Sequence, residues 1–201
     1  MDVDVLEQVW WSWAERGAVL SSAEWERPTR LAGWAVRDLF AHVAPDPKVL
    51  DFFRGPRVAE PAVTEGARLL RRIHAADGVV RERAGDIAAA AREAGGVGAA
   101  RLLRYFTVTG PEVIVVLREV DSAVGLVYPQ VGSVSFGALV EVSIVEATVH
   151  LLDLIAAVGG PPAPRDGVRR TVEVLAAVPD PVAFIESAAG RTGEPLPPIL
   201  G

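Results

Sequence analysis

The sequence predicts an all-α protein, a four-helix bundle with irregular connections and a short C-terminal helical extension. Three observations carry that expectation. Apolar residues recur at spacings of three and four over long stretches, prolines and paired glycines interrupt those stretches, and strand and helix patterns do not alternate along the chain.

Each element has its own signal. From Val5 to Leu20 the residues Leu6, Val9, Trp10, Trp13 and Leu20 fall near one face of a 3.6-residue period, with Glu7, Glu15 and Arg16 between them, so a first amphipathic helix is expected. Residues 21–29 are polar and turn-like, and Pro28 interrupts any helix there. A second helix fits Gly33 to Val43, with Leu39, Phe40 and Val43 as its apolar surface and Pro45 and Pro47 ending it. A long third helix is predicted over 64–94, on the stripe Leu69, Ile73, Ala76, Val80, Ala84, Ile87 and Ala91. Gly78 weakens its middle, and Gly95 and Gly96 stop it. A short helix fits Arg101 to Phe106.

Between Pro111 and Phe136 the pattern is ambiguous. Val113, Ile114, Val115, Val116 and Leu117 suit a strand or a buried helical turn equally, and Pro129 and Gly132 argue against a regular element beyond them. The pattern clears from Phe136 to Val158, where Leu139, Val142, Val145, Val149 and Leu152 keep helical spacing, and Gly159, Gly160, Pro161 and Pro162 end the helix. Two short helices are expected over 167–178 and 181–189. They are too little for a second enzymatic domain, so residues 1–162 are expected to form the bundle and residues 163–201 an extension packed on it.

Composition narrows the function. In 201 residues half are apolar, enough for a sizeable core, and 26 acidic residues against 20 basic ones leave a net charge of −6. That balance argues against a general nucleic-acid binder. With no cysteine, disulfides, thiolate metal sites and cysteine nucleophiles are excluded, and a metal would need histidine, carboxylate or water. No signal-like segment and no 18-residue apolar run is present, so a cytoplasmic protein without membrane contact is expected. Neither a phosphate loop nor a dinucleotide fingerprint occurs.

The three histidines, His42, His74 and His150, are the chemistry-bearing residues to weigh. Glu146 and His150 stand four apart, on adjacent turns of one helix face, flanked by Ser143 and Asp153. Their alternatives are a surface ion pair, a core hydrogen bond or a helix-terminus contact. His42, four residues after Asp38 on the second helix, could approach them across the bundle. Two imidazoles and one carboxylate leave a coordination position open, an arrangement used by catalytic zinc, with nickel or cobalt also compatible. His74 reads as a solvent-facing or hydrogen-bonded residue.

Two stretches carry a family resemblance. Residues 25–42, with Pro28-Thr29, Gly33-Trp34 and His42, and residues 145–154, with Glu146, His150 and Asp153, resemble the mycothiol-dependent maleylpyruvate isomerase and DinB-like metalloprotein family. Residues 184–193 resemble a recurrent ending of its short members, and the match is weakest over 95–136. The resemblance implies a DinB-like bundle with the metal near one end, His42, Glu146 and His150 as ligands, and Asp153 as a supporting group. It also implies mycothiol as a cosubstrate. Full maleylpyruvate isomerases carry a further carboxy-terminal domain that contributes to the thiol-substrate site; this chain is expected to lack it, and with it that activity.

The function expected is a divalent-metal enzyme that activates a small thiol for transfer to, or isomerisation of, an electrophilic small molecule. Arg37, Arg54 or Arg104 would orient an anionic group or, as the plainer reading of each, serve surface solvation and ion pairing, Asp38 would partner His42, and Trp34 would line the pocket or pack between the first two helices. A metal-dependent hydrolase using water and a non-catalytic ligand-binding bundle are the alternatives, and a homodimer is open.

Overall fold

The structure, a computed structural model, describes residues 2–75, 78, 83–191 and 199. Helices dominate it. Helix α1 (Val3–Val19) is followed by a one-turn α2 (Ser22–Trp25), then α3 (Val36–Val43) and α4 (Pro47–Phe53). After strand β1 (Arg57–Val58) come α5 (Gly66–Ile73), α6 (Ala84–Gly95), α7 (Ala99–Arg104) and α8 (Gly110–Glu119). Strands β2 (Gly125–Tyr128) and β3 (Gly132–Ser135) lead into the long α9 (Phe136–Val158), and α10 (Arg165–Ala176) and α11 (Pro181–Ala188) follow.

Helix α9 is the centre, packed against α1, α3, α5 and α10. Its start is set by Ser135, whose hydroxyl accepts from the Ala138 N–H at 3.2 Å, and it ends at Gly159. Trp13 joins the layers. Fully buried, it donates its indole N–H to the Ala147 carbonyl at 3.0 Å, stands edge-on to Phe40 with ring centres 4.8 Å apart, and stacks on Phe106 at 5.9 Å. One side chain thereby ties α1, α3, the 99–119 stretch and α9 next to Glu146.

Several expectations need correction. The 64–94 stripe is not one helix: α5 stops at Ile73 and α6 begins at Ala84, while Ala76 and Val80 lie outside the described residues. The two halves of the stripe serve different partners, α5 packing on α9 and α6 on α3. Near Gly78 the backbone doubles back so closely that a Cβ there would meet the Ile73 carbonyl at 2.5 Å. Residues 21–29 include the helical turn α2, capped reciprocally by Ser21 and Glu24.

The ambiguous 111–117 run is helical. Residues 99–119 form one continuous rod, interrupted only by a π turn at Tyr105–Thr109. Pro111 has no N–H and crowds the preceding turn, and the wider turn before it, closed by the Gly110 N–H on the Tyr105 carbonyl, absorbs the misfit. The protein also holds a small sheet, ordered β1-β2-β3 and antiparallel throughout, with Arg57 opposite Leu126 and Tyr128 opposite Gly132. Pro129 and Gly132, which seemed to forbid an element, instead shape the hairpin turn between two strands. Among the described residues no helix is long and apolar enough to cross a membrane.

Candidate metal centre

Helix α3 begins after Ala35, whose N–H is held by the Asp38 carboxylate at 2.8 Å, and stops at Val43 because Ala44 is extended and Pro45 follows. That length puts His42 on its last turn. Glu146 and His150 project from one face in the middle of α9, and the packing of α3 on α9 brings the three together. The Glu146 Oε2 atom lies 3.5 Å from His150 Nε2 and 3.8 Å from His42 Nε2. The two imidazoles meet edge to face with centres 5.0 Å apart. The side chains are 28 %, 32 % and 14 % exposed for His42, Glu146 and His150, so the cluster is reachable from solvent on the His42 and Glu146 side.

This donor set fits a divalent ion. All three ligand atoms lie within 4.8 Å of one another. Tetrahedral ligands at ~2.1 Å from zinc stand ~3.4 Å apart, so small side-chain adjustments would complete the coordination and leave a fourth position open.

His150 is held from behind. Its Nδ1 donates to Asp153 Oδ2 at 2.9 Å, and since an ionised carboxylate can only accept, Nδ1 carries the proton and Nε2 faces the other ligands. Asp153 is buried, and its second oxygen, Oδ1, accepts from Arg30 Nε. Burial opposes charge on Asp153, but hydrogen bonds to His150 and Arg30 outweigh it and keep the carboxyl below its ordinary range. Burial acts against the charged forms of Glu146 and His150 too. The hydrogen bonds and charges of both histidines nevertheless hold Glu146 well below the usual carboxylate range, and those of Asp153 and Glu146 raise His150 to about 9.

Two residues that the sequence reading passed over act on this site, Arg30 by its contact with Asp153 and Tyr128 by the electrostatic coupling between its phenol and Glu146. Arg30 sits in the turn before α3, and nothing in its local pattern marks it. Tyr128 ends β2, is half-buried with its ring edge-on to Phe52 at 5.9 Å, and has its phenol pKa raised by burial and by the Glu146 charge. Its only sequence signal is rarity, since the chain has two tyrosines.

The expected pocket residues divide. Trp34 lies against both imidazoles, perpendicular to His42 at 5.2 Å and near-parallel to His150 at 6.4 Å. Asp38 does not partner His42. One oxygen holds the Ala35 N–H, and the other is buried so close to Gly95 that a Cβ there would approach it to 2.8 Å. Sharing a helix face at i, i+4 does not make a contact when the helix's own start claims the carboxylate. Arg37 pairs with Glu26 and Arg54 with Glu112, while Arg104 lines a surface cavity with Arg101 and Tyr105. Arg30, by contrast, reaches the site through Asp153. His74 is half-buried at the C-terminal cap of α5, away from the long helix expected for it.

The chain matches no curated protein and no solved structure. A family model, described as the mycothiol maleylpyruvate isomerase N-terminal domain, matches residues 6–155, a span that includes His42, Glu146, His150, Asp153, Arg30 and Tyr128. By that match over most of its length, the chain belongs to the mycothiol maleylpyruvate isomerase N-terminal domain family.

Proposed function

We propose that this protein is a divalent-metal-dependent enzyme that activates a small thiol, mycothiol, for transfer to or isomerisation of an electrophilic small molecule. The frame would be DinB-like, with α1, the α3–α4 segment, the 99–119 rod and α9 as its four principal helices and the helices after residue 162 as an addition. The observation that carries the reading is the convergence of His42 Nε2, Glu146 Oε2 and His150 Nε2, with Asp153 behind His150. A divalent ion bound there, zinc by preference and nickel or cobalt as substitutes, supplies the Lewis acidity that lowers the pKa of a thiol toward neutrality.

This chain's own residues do the rest. His42, Glu146 and His150 would hold the ion, and the partly exposed His42 and Glu146 side chains face the side from which a thiol would enter. Trp34, edge-on to His42 and near-parallel to His150, limits the movement of both imidazoles. The Tyr128 phenol, its pKa raised, stays protonated and is available to donate a hydrogen bond to an anionic or carbonyl oxygen of the electrophile. Since the chain has no cysteine, the sulfur must come from outside.

The test is turnover of an electrophilic acceptor by zinc-loaded protein with mycothiol and without it. Reaction that requires both zinc and mycothiol, and is lost in His42→Ala and Glu146→Gln, is the expected outcome. Equal turnover in thiol-free solution would replace the thiol with water and make the protein a hydrolase. Failure to bind any divalent ion would remove the reading altogether.

A further inference from the structure

Asp153 uses each of its oxygens once, Oδ1 toward Arg30 and Oδ2 toward His150. A carboxylate held by one oxygen still rotates about its last bond. Held by both, it presents one fixed lone pair to the imidazole. Arg30 comes from 123 residues earlier in the chain, on the turn spanning residues 28–35. That turn is closed on itself: Pro28 and Ala35 pair as an isolated bridge, and the Thr29 N–H and hydroxyl both donate to the Trp34 carbonyl, at 2.9 and 3.1 Å. The Leu31 N–H donates back to the Thr29 hydroxyl at 3.2 Å, and Gly33 takes the left-handed conformation, φ +79°, that the tight return requires. Just before the turn, Arg27 donates to the Ala157 carbonyl at 3.2 Å, anchoring it to the same helix that carries His150 and Asp153.

We propose that Arg30, carried by this turn, is a positioning residue for the triad: it holds Asp153 so that His150 keeps Nδ1 as donor and directs Nε2 toward Glu146 and His42. The inference rests on the metal-binding reading above and adds to it a residue that touches neither the ion nor a substrate. The turn reaches the site at two points, because Trp34 from the same closed loop stands edge-on to the His42 imidazole and near-parallel to that of His150. Arg30 is itself more than half exposed, so its ion pair with Asp153 is not needed to fill the core. Its contribution is orientation.

The experiment compares Arg30→Gln, Arg30→Lys, Asp153→Asn and the Arg30→Gln/Asp153→Asn double variant, with cobalt(II) alone as the probe. Arg30→Gln is expected to weaken cobalt binding by about tenfold or more and to alter its visible absorption bands, as loss of a group supporting a liganding histidine does. Arg30→Lys, which keeps a charged donor, is expected to recover most of the affinity. The double variant should bind no more than about twofold more weakly than Asp153→Asn, since both changes break one chain of contacts. Independently of metal, the Nδ1–H proton of His150 should give a slowly exchanging, low-field NMR signal in the wild-type and Arg30→Lys proteins and lose it in Arg30→Gln.

Cobalt affinity in Arg30→Gln within about twofold of wild type, or effects of the two single changes that multiply, would overturn the role of Arg30. If the wild-type protein takes up no cobalt, the metal reading fails, and the NMR comparison still decides whether Arg30 holds the Asp153–His150 contact.

Discussion

Raising the pH from 7 to 8 is expected to tighten zinc binding at the triad by about tenfold, because a proton must leave His150 for each ion taken up. In the metal-free protein burial works against the charged imidazole, but the hydrogen bonds and charges of Asp153 and Glu146 prevail and raise it from 6.5 to about 9. Glu146, held well below the carboxylate range, is already ionised and releases no proton. With His150 at about 9, the proton outcompetes the ion by about 100-fold at pH 7 and about tenfold at pH 8. An imidazole at its ordinary value would leave affinity nearly flat over that interval. The assay is calorimetry with a competing chelator, repeated in buffers of different ionisation enthalpy so that released protons are counted. About one proton per zinc from His150 is expected at pH 7. Removing the carboxylate with Asp153→Asn should lower the His150 pKa and flatten the slope. Less than a twofold change in the wild-type protein between pH 7 and 8, with no proton released, would refute the reasoning.

The same groups make metal-free stability depend on pH. The contribution of His150, whose pKa is raised on folding, is fully present below 6.5 and lost as pH rises through about 9, about 3 kcal/mol in all, while that of Glu146, whose pKa is lowered, is present above 4.5 and lost on acidification. Urea unfolding of the apoprotein should therefore show a midpoint that falls between pH 6.5 and 9.5, and a His150→Ala variant should lack that part of the fall. Trp13→Ala removes the indole contact to the Ala147 carbonyl and the Phe40 and Phe106 packing, and should cost about 3–5 kcal/mol; a loss below about 1 kcal/mol would contradict the buried role assigned to this ring. Gly66→Ala puts a Cβ 2.6 Å from the Glu141 Cβ where α5 meets α9, and should cost about 1–3 kcal/mol. In contrast, Gly85→Ala on α6 meets nothing within 4 Å and should stabilise by about 0.5 kcal/mol, so equal effects of the two changes on thermal unfolding would defeat the close-approach argument.

How much was legible in the sequence depends on the range of the interactions involved. Helix α9 was expected over the range it occupies, because its apolar spacing and its Gly159-Gly160 stop are both local. The same locality put Glu146 and His150 on one face. The 64–94 stripe misled because a continuous pattern does not tell whether one partner or two will cover it, and α5 and α6 have different partners. The valine-rich run at 113–116 was ambiguous because β-branched residues suit both states, and its packing against α1 and α4 selected the helix. The hairpin went unseen because Pro129 and Gly132 read as breakers although they shape its turn, and β1, which completes the sheet, lies far from it in the chain.

By itself the sequence determined the helical class, the exclusion of cysteine chemistry and the placing of Glu146 and His150 on one helix face, since these follow from composition and from spacings within one helix. Only the tertiary structure decided that His42 meets Glu146 from a different helix, that Asp38 serves its own helix start, and that Arg30 reaches the site through Asp153. The physical reason is that helical periodicity sets which way a side chain points from its own axis, whereas the approach of two axes depends on the packing of the whole core.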